Sequence, residues 1–315
     1  MSPTRHSGAT QQPRSSATQL PREEPNVDAE SPELQDIEDV ENNLNGPSQN
    51  ANDGDGDDSS ESENRFMYSV DQIVAIFTEF YQFLARLHYD PANLKFPPPE
   101  GWPQLAPDHV GSWKEDLALD VIRHLPYFSW GSPATQLDYK SHLVDYSTCG
   151  PEFFAEPDWW EEYMDYNDSC NPRMCFIIAK GHESYGQQWV VDAEHGQIYV
   201  ESLRCDRSGP YDLRVFLRGV MEKYRNLELI SSPGRVTLDG SRVPERHGRV
   251  SEEEIMAEKA PFGETDVSVQ FVRQVYRDYG WPNSFQREEC QKYINDLMTR
   301  LEEAGLESWE RDWKS

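Results

Sequence analysis

Apolar residues take up helical spacing abruptly at residue 66. Phe66, Val70, Ile73, Phe77, Phe80, Leu84 and Leu87 follow one face of a helix. Ser69 and Gln72 supply a capping box at its start, and Pro91 sets its limit. Pro97 to Pro99 continues as an extended link. A second box, Ser112 with Glu115, predicts a helix carrying Trp113, Leu117, Val121 and Leu125, stopped by Pro126. The period then changes. Cys175 to Ala179, Trp189 to Val191 and Ile198 to Val200 are short continuous apolar runs. Gly181 to Gln187 and Ala193 to Gly196 separate them, so the three read as an antiparallel meander.

Helical periodicity returns with Leu213, Phe216, Leu217, Val220, Met221 and Tyr224, behind Asp212 as N-cap. Leu227 to Ile230 and Val236 to Leu238 read as further strands about a Pro233-Gly234 turn. Ser251 with Glu254 opens a short helix that stops by Pro261. Val267, Phe271, Val275 and Tyr279 form a stripe closed by Gly280 and Pro282. A last helix runs from about Ser284 to Ala304, with Tyr293, Ile294, Leu297, Met298 and Leu301 inward and Gly305 as its cap. The pattern predicts one α+β domain over residues 66–305. A small central antiparallel sheet is flanked by N- and C-terminal helices, and residues 306–315 form a short tail.

Residues 1–65 have another character. They hold 15 acids, four arginines and no aromatic residue, which predicts a disordered acidic arm. Ser31-Pro32 followed by Leu34, Ile37, Val40 and Leu44 offers a short helix that could form on a partner, though four apolar residues among acids are more simply chance. Ser59, Ser60 and Ser62 stand directly before acids, the pattern of acid-directed phosphorylation; their plainer role is to keep the linker soluble. Residues 1–22 carry Arg5, Arg14, Arg22 and no acid, yet Pro3, Pro13 and Pro21 would break the amphipathic helix of a mitochondrial presequence. A cytoplasmic or nuclear setting is expected.

Charge narrows the partners. The chain has 57 acidic and 29 basic residues, a net −28 over 315 residues. Nucleic acid and anionic membrane would be repelled, so neither is expected as a partner. No apolar run approaches the ~18 residues of a membrane span. Five cysteines in no framework spacing argue against a disulfide-stapled secreted domain.

Candidate chemistry is sparse. There is no Gly-rich phosphate loop with Lys, no His-Glu-x-x-His and no nucleophile elbow, and no cofactor is expected. Cys170, Cys175, His182, His195 and Cys205 fall within 36 residues, as zinc ligands could. Pro172 interrupts the one cysteine pair, however, and Cys175 opens an apolar strand as a core residue would. His88 and His124 fall near helix C-termini, where positive charge is favourable. Gly196 is expected at positive φ in a tight turn, with His195 as a turn residue and nothing more.

The densest candidate site is an acidic aromatic patch. Phe153, Phe154, Trp159, Trp160, Tyr163 and Tyr166 interleave with Glu152, Glu156, Asp158, Glu161, Glu162 and Asp165. Aromatic platforms with paired carboxylates suit a glycosidase. Trp160, Tyr163 and Asn167 also follow helical spacing after Pro157, and a short helix docking its aromatics explains the pattern more plainly. Trp and Tyr also anchor protein interfaces, which makes Trp159, Trp160, Glu161, Glu162 and Tyr163 the candidate binding residues.

Four phrases carry a resemblance. They are Val121 to Tyr127, Pro98 to Pro103, Val191 to Ile198, and Tyr276 to Pro282 with Arg287 to Cys290 after it. Together they resemble a group of uncharacterised proteins from filamentous ascomycete fungi. The strand, Asp-x-x-x-Gly turn and strand at Asp192 to Gly196 is also distantly similar to the SUKH superfamily, which includes regulators of cell-wall synthesis and toxin-immunity proteins. The Leu-Pro, aromatic, Asn-Gly loop that such proteins often carry has no counterpart here. That likeness implies an α+β interaction module. The expected function is therefore a non-enzymatic protein-interaction or regulatory module with a protein partner. The alternative is a glycosidase-like hydrolase using carboxylates of residues 152–165.

Overall fold

The computed structural model describes residues 68–129, 136–150, 153–154, 171–203, 207–258 and 266–305. The predicted arm with Ser59, Ser60 and Ser62, the tail at 306–315, and Trp159, Trp160, Glu161, Glu162 and Tyr163 lie outside them.

Helix α1 spans Val70–Leu87, and its Ser69–Gln72 capping box is formed in both directions. Ile73, Phe77, Phe80 and Leu84 are fully buried along the predicted stripe. A two-residue ladder pairs β1 (Leu94–Lys95) with β2 (Tyr127–Phe128). Between them come the short α2 (Pro107–Val110) and α3 (Asp116–His124).

The predicted box at Ser112 and Glu115 does not form. Glu115 is itself the N-cap of α3, with no side-chain cap bond. Its backbone N–H donates to Arg173 O at 3.0 Å, and its carboxylate accepts from Asn171 Nδ2 at 3.3 Å. Attachment to residues 171–173 sets the entry to this helix. Trp113 therefore lies outside it, packed on Tyr146 and Phe154 at 5.5 and 4.8 Å.

The α+β architecture is as expected, with a wider meander than the apolar runs indicated. Five strands stand in sequence order, all antiparallel: β3 (Ser141–Leu143), β4 (Cys175–Gly181), β5 (Gln187–Asp192), β6 (Gln197–Ser202) and β7 (Arg207–Asp212). Strand β7, Arg-Ser-Gly-Pro-Tyr-Asp, reads as a turn in sequence. It survives as a strand because it is an edge, where proline removes no ladder bond that the sheet needs. The inner face presents Phe176, Ile178, Trp189, Val191 and Ile198 to the main core. The outer face carries a second apolar cluster of Cys175, Ile177, Val190 and Tyr199.

Helix α4 (Leu213–Arg225) follows β7 directly, with the Asp212 carboxylate accepting from Val215 N at 2.8 Å. Then come β8 (Leu229–Ile230) paired with β9 (Leu238–Asp239), α5 (Glu252–Ala257), α6 (Asp266–Asp278) and α7 (Arg287–Glu303). Arg273 of α6, with 3% of its side chain exposed, staples this part together. It donates to the carbonyls of Leu227, Val243 and Gly240 at 3.1, 2.7 and 2.7 Å. One guanidinium thus serves three carbonyls, of which that of Gly240 also accepts from Val243 N at 2.9 Å.

Candidate functional site

The sequence candidates scatter. Cys175 lies buried in the outer sheet cluster. His182 stacks on His142, with centroids 4.7 Å apart and planes at 14°. His195 turns to Asp192, and Cys170 and Cys205 lie outside the described residues. The expectation for His88 is overturned. It caps the C-terminus of α1, but it is 2% exposed between Tyr89, Tyr224 and Trp281, and neither ring nitrogen has a hydrogen-bond partner among the described residues. Burial, helped by the charge of Arg287, pushes its pKa down to about 3, so no positive charge meets the helix dipole.

The turn at 192–196 is more than a turn. Gly196 adopts φ +61°, as the tight connection requires. The buried Asp192 carboxylate accepts from Glu194 N at 3.0 Å and His195 N at 3.2 Å through one oxygen, and from His195 Nδ1 at 2.8 Å through the other. That bond raises the pKa of His195. The half-exposed ring thus faces a buried titratable group.

The feature that gathers most chemistry is a cleft of about 640 Å³ that the sequence did not single out. It opens between α4, from Val215 to Lys223, and the inner face of β5, β6 and β7. Trp189 forms its floor, with Phe216 edge-on at 4.9 Å and 83°. Tyr211 stacks on Phe216 at 5.7 Å and 20°. Tyr185, 61% exposed, and Val215, 70% exposed, stand at the rim.

Glycine makes the room. Gly219 sits in mid-helix on the cleft wall, and a Cβ there would meet no atom within 4 Å. Glycine inside a helix costs about 0.5–1 kcal/mol relative to alanine. No neighbour in the fold requires that sacrifice.

The two loops that bring Tyr139 and Tyr185 to the cleft are conformationally strained. Lys140, Glu183 and Tyr185 adopt φ of +49°, +56° and +66°, where side chains other than glycine are disfavoured. Backbone bonds hold the two loops in place: His182 N to Lys140 O at 2.9 Å, Gln187 N to Tyr139 O at 2.9 Å, and Tyr185 N to Leu203 O at 3.1 Å. Lys140 and Glu183 pair at 2.7 Å, and the Lys140 ammonium lies 5.5 Å from the Tyr139 ring centre.

Asp138 and the exposed Asp239 and Lys223 also line the cleft. Asp138 is held there because the chain before it is anchored. The Leu137 carbonyl accepts from Tyr224 Oη, and the Gln136 carbonyl accepts from Thr237 Oγ1 at 2.8 Å. Asp138 accepts from Tyr139 N at 2.7 Å. Burial is the main reason that its pKa is pushed up to about 6; Asp239 adds to the rise, and Lys223 opposes it less strongly. Trp189 is 1% exposed, and its indole N–H faces the Asp138 carboxylate, whose charged form it slightly stabilises.

Individual signals existed in sequence. Gly219 interrupts an otherwise good helical stripe, and Tyr211 follows Gly209-Pro210 at a strand edge. Nothing in sequence joined either to Asp138, which lies more than 70 residues earlier.

Comparison with protein-family models, curated proteins and solved structures returns no match.

Proposed function

We propose that this chain is a non-enzymatic interaction module that holds a segment of a partner protein in the cleft between α4 and the sheet. The observation that carries the reading is the open cleft of about 640 Å³ in which Tyr185, Tyr211 and Phe216 gather around Trp189. The helix-interior glycine and the strained aromatic rim support the same reading. So does the likeness of the Asp192–Gly196 turn to SUKH interaction modules. A cytoplasmic or nuclear setting belongs to the proposal, supported by cysteines without a disulfide framework. The net −28 supports a protein rather than a nucleic acid as the partner. No helix among the described residues is long and apolar enough to cross a membrane.

One observation favours a second reading, hydrolysis. Asp138 has a raised pKa beside a second acid in an aromatic cleft, the arrangement of an acid/base pair. Against it, Asp239 Oδ1 already accepts from Ser241 N at 2.9 Å in a local turn, as structural aspartates do. The carboxylates of residues 152–165, on which a glycosidase reading first rested, lie outside the described residues.

The test is selection of random peptides on the full-length chain, followed by affinity measurement on Tyr185→Gly. That change removes the rim aromatic while relieving the positive φ. Selected peptides should lose about tenfold or more in affinity while thermal stability holds or rises. Equal affinity for parent and variant would contradict the reading. Cleavage of aryl glycosides, abolished by Asp138→Asn, would favour hydrolysis.

A further inference from the structure

Away from the cleft, the segment Phe96-Pro97-Pro98-Pro99-Glu100 runs from β1 toward Trp102. Proline fixes its own φ at about −65°, and a residue before proline is held extended. Phe96, Pro97 and Pro98 all precede a proline, so covalent structure alone confines them to polyproline II geometry. Residues 96–98 accordingly belong to no helix or strand.

Both ends of this strap are fixed. Leu94 and Lys95 pair with Phe128 and Tyr127, and Lys95 Nζ donates to Asp145 Oδ2 and Ser147 Oγ, each at 2.7 Å. At the far end Gly101 N donates to Pro98 O at 2.9 Å, and Arg123 Nη2 to Glu100 O at 2.8 Å. Trp102 Nε1 donates to Leu125 O at 2.8 Å. The strap is therefore ordered before any partner arrives, which lowers the entropy lost on binding. With about three residues per turn, Phe96 and Pro99 share one edge, Pro98 forms a second, and Pro97 starts the third. Pro97 is half-buried against the domain, while Phe96, at 52% exposed, Pro98 and Pro99 stand in solvent. Two edges of a polyproline helix are thus open, as docking into an aromatic-lined groove requires. Lys95 is neutralised by Asp145, whereas the exposed Glu100 has no ion pair among the described residues. With the chain at −28, the complementary groove has a basic rim, and an acidic one is repelled.

We propose that residues 96–99 dock this chain onto a partner domain whose groove is walled by aromatic rings and rimmed by basic residues. None of them lines the cleft beside α4, so the two surfaces stand or fall separately.

The experiment titrates the full-length chain into ¹⁵N-labelled EVH1, WW and SH3 domains, three classes that read polyproline helices. The free peptide acetyl-Leu-Lys-Phe-Pro-Pro-Pro-Glu-Gly-Trp-amide serves as control. At least one domain should show saturable shifts at its aromatic groove. For that domain, Phe96→Ala and Pro99→Ala, on the shared outward edge, should each weaken binding about tenfold. Pro97→Ala, on the edge turned to the domain, should weaken it about threefold or less, and Glu100→Lys about threefold or more. Melting temperatures of Phe96→Ala, Pro99→Ala and Glu100→Lys should stay close to the parent, because these side chains are exposed. No shift in any of the three domains would overturn the proposal. So would binding of the free peptide without binding of the intact chain, since the fold would then be hiding the strap. Indifference to both Phe96→Ala and Pro99→Ala in folded variants, or tighter binding of Glu100→Lys, would contradict the assigned edge and the basic rim.

Discussion

His195 Nδ1 donates to the buried carboxylate of Asp192 at 2.8 Å, across a turn whose last residue, Gly196, has φ +61°. Three parts of the connection depend on one another. Asp192 caps two backbone N–H groups, His195 covers its second oxygen, and Gly196 supplies the left-handed step. Gly196→Val should destabilise the domain by more than about 1 kcal/mol. Asp192→Ala should cost about 1–3 kcal/mol by leaving those donors unpaired. His195→Ala, half-exposed, should cost less than about 1 kcal/mol. Its contribution is present below the ordinary histidine pKa and fades as pH rises through the raised folded value. Thermal unfolding of the three variants at pH about 6 and 8 checks the order; a His195→Ala cost that grew with pH would contradict it.

His88 has the opposite sign. Its folded pKa is pushed down to about 3, so the unfolded chain takes up a proton at pH values where the folded one does not. Above about pH 6.5 it has no effect. As pH falls from there toward about 3, it should erode stability by at most ~1.4 kcal/mol per pH unit. Denaturant titrations of the parent and His88→Gln should therefore converge in pH dependence above neutrality and diverge below about 6, with the parent steeper. Parallel profiles would mean that the ring is protonated or solvated in the fold.

Phe77 is fully buried at the middle of α1, and Phe77→Ala should cost about 3–5 kcal/mol. Arg273→Leu should cost about 2–3 kcal/mol, by taking the guanidinium donor from the Leu227 and Val243 carbonyls and one of two donors from Gly240. Chemical denaturation measures both. A loss under about 1 kcal/mol for Arg273→Leu would mean that water replaces the guanidinium.

The helices and the central strands were legible because burial follows a local period. Ser69 with Gln72 and Ser251 with Glu254 cap as their spacing indicates, and Asp212 starts α4. The Ser112–Glu115 spacing misled because Glu115 has distant partners at Asn171 and Arg173, which no local pattern reveals. Strand β7 was hidden by a composition that only an edge position tolerates. The cleft was illegible for a further reason. Asp138, Trp189, Gly219 and Asp239 come from four separate elements, and each reads alone as a turn, core or helix residue. The patch that did draw attention in sequence, Trp159 to Tyr163, lies outside the described residues.

Gly219 ties the cleft to function most tightly, because glycine there weakens the helix and fills no packing need. Gly219→Ala should raise stability by about 0.5–1 kcal/mol. Gly219→Trp should fold as well as the parent and plug the space above Phe216. The decisive measurement is the affinity of peptides selected on the parent for Gly219→Trp, with melting temperatures recorded alongside. A fall of about tenfold or more at undiminished stability is the predicted result. Unchanged affinity in a folded Gly219→Trp protein would contradict the claim that this cleft is where the partner binds.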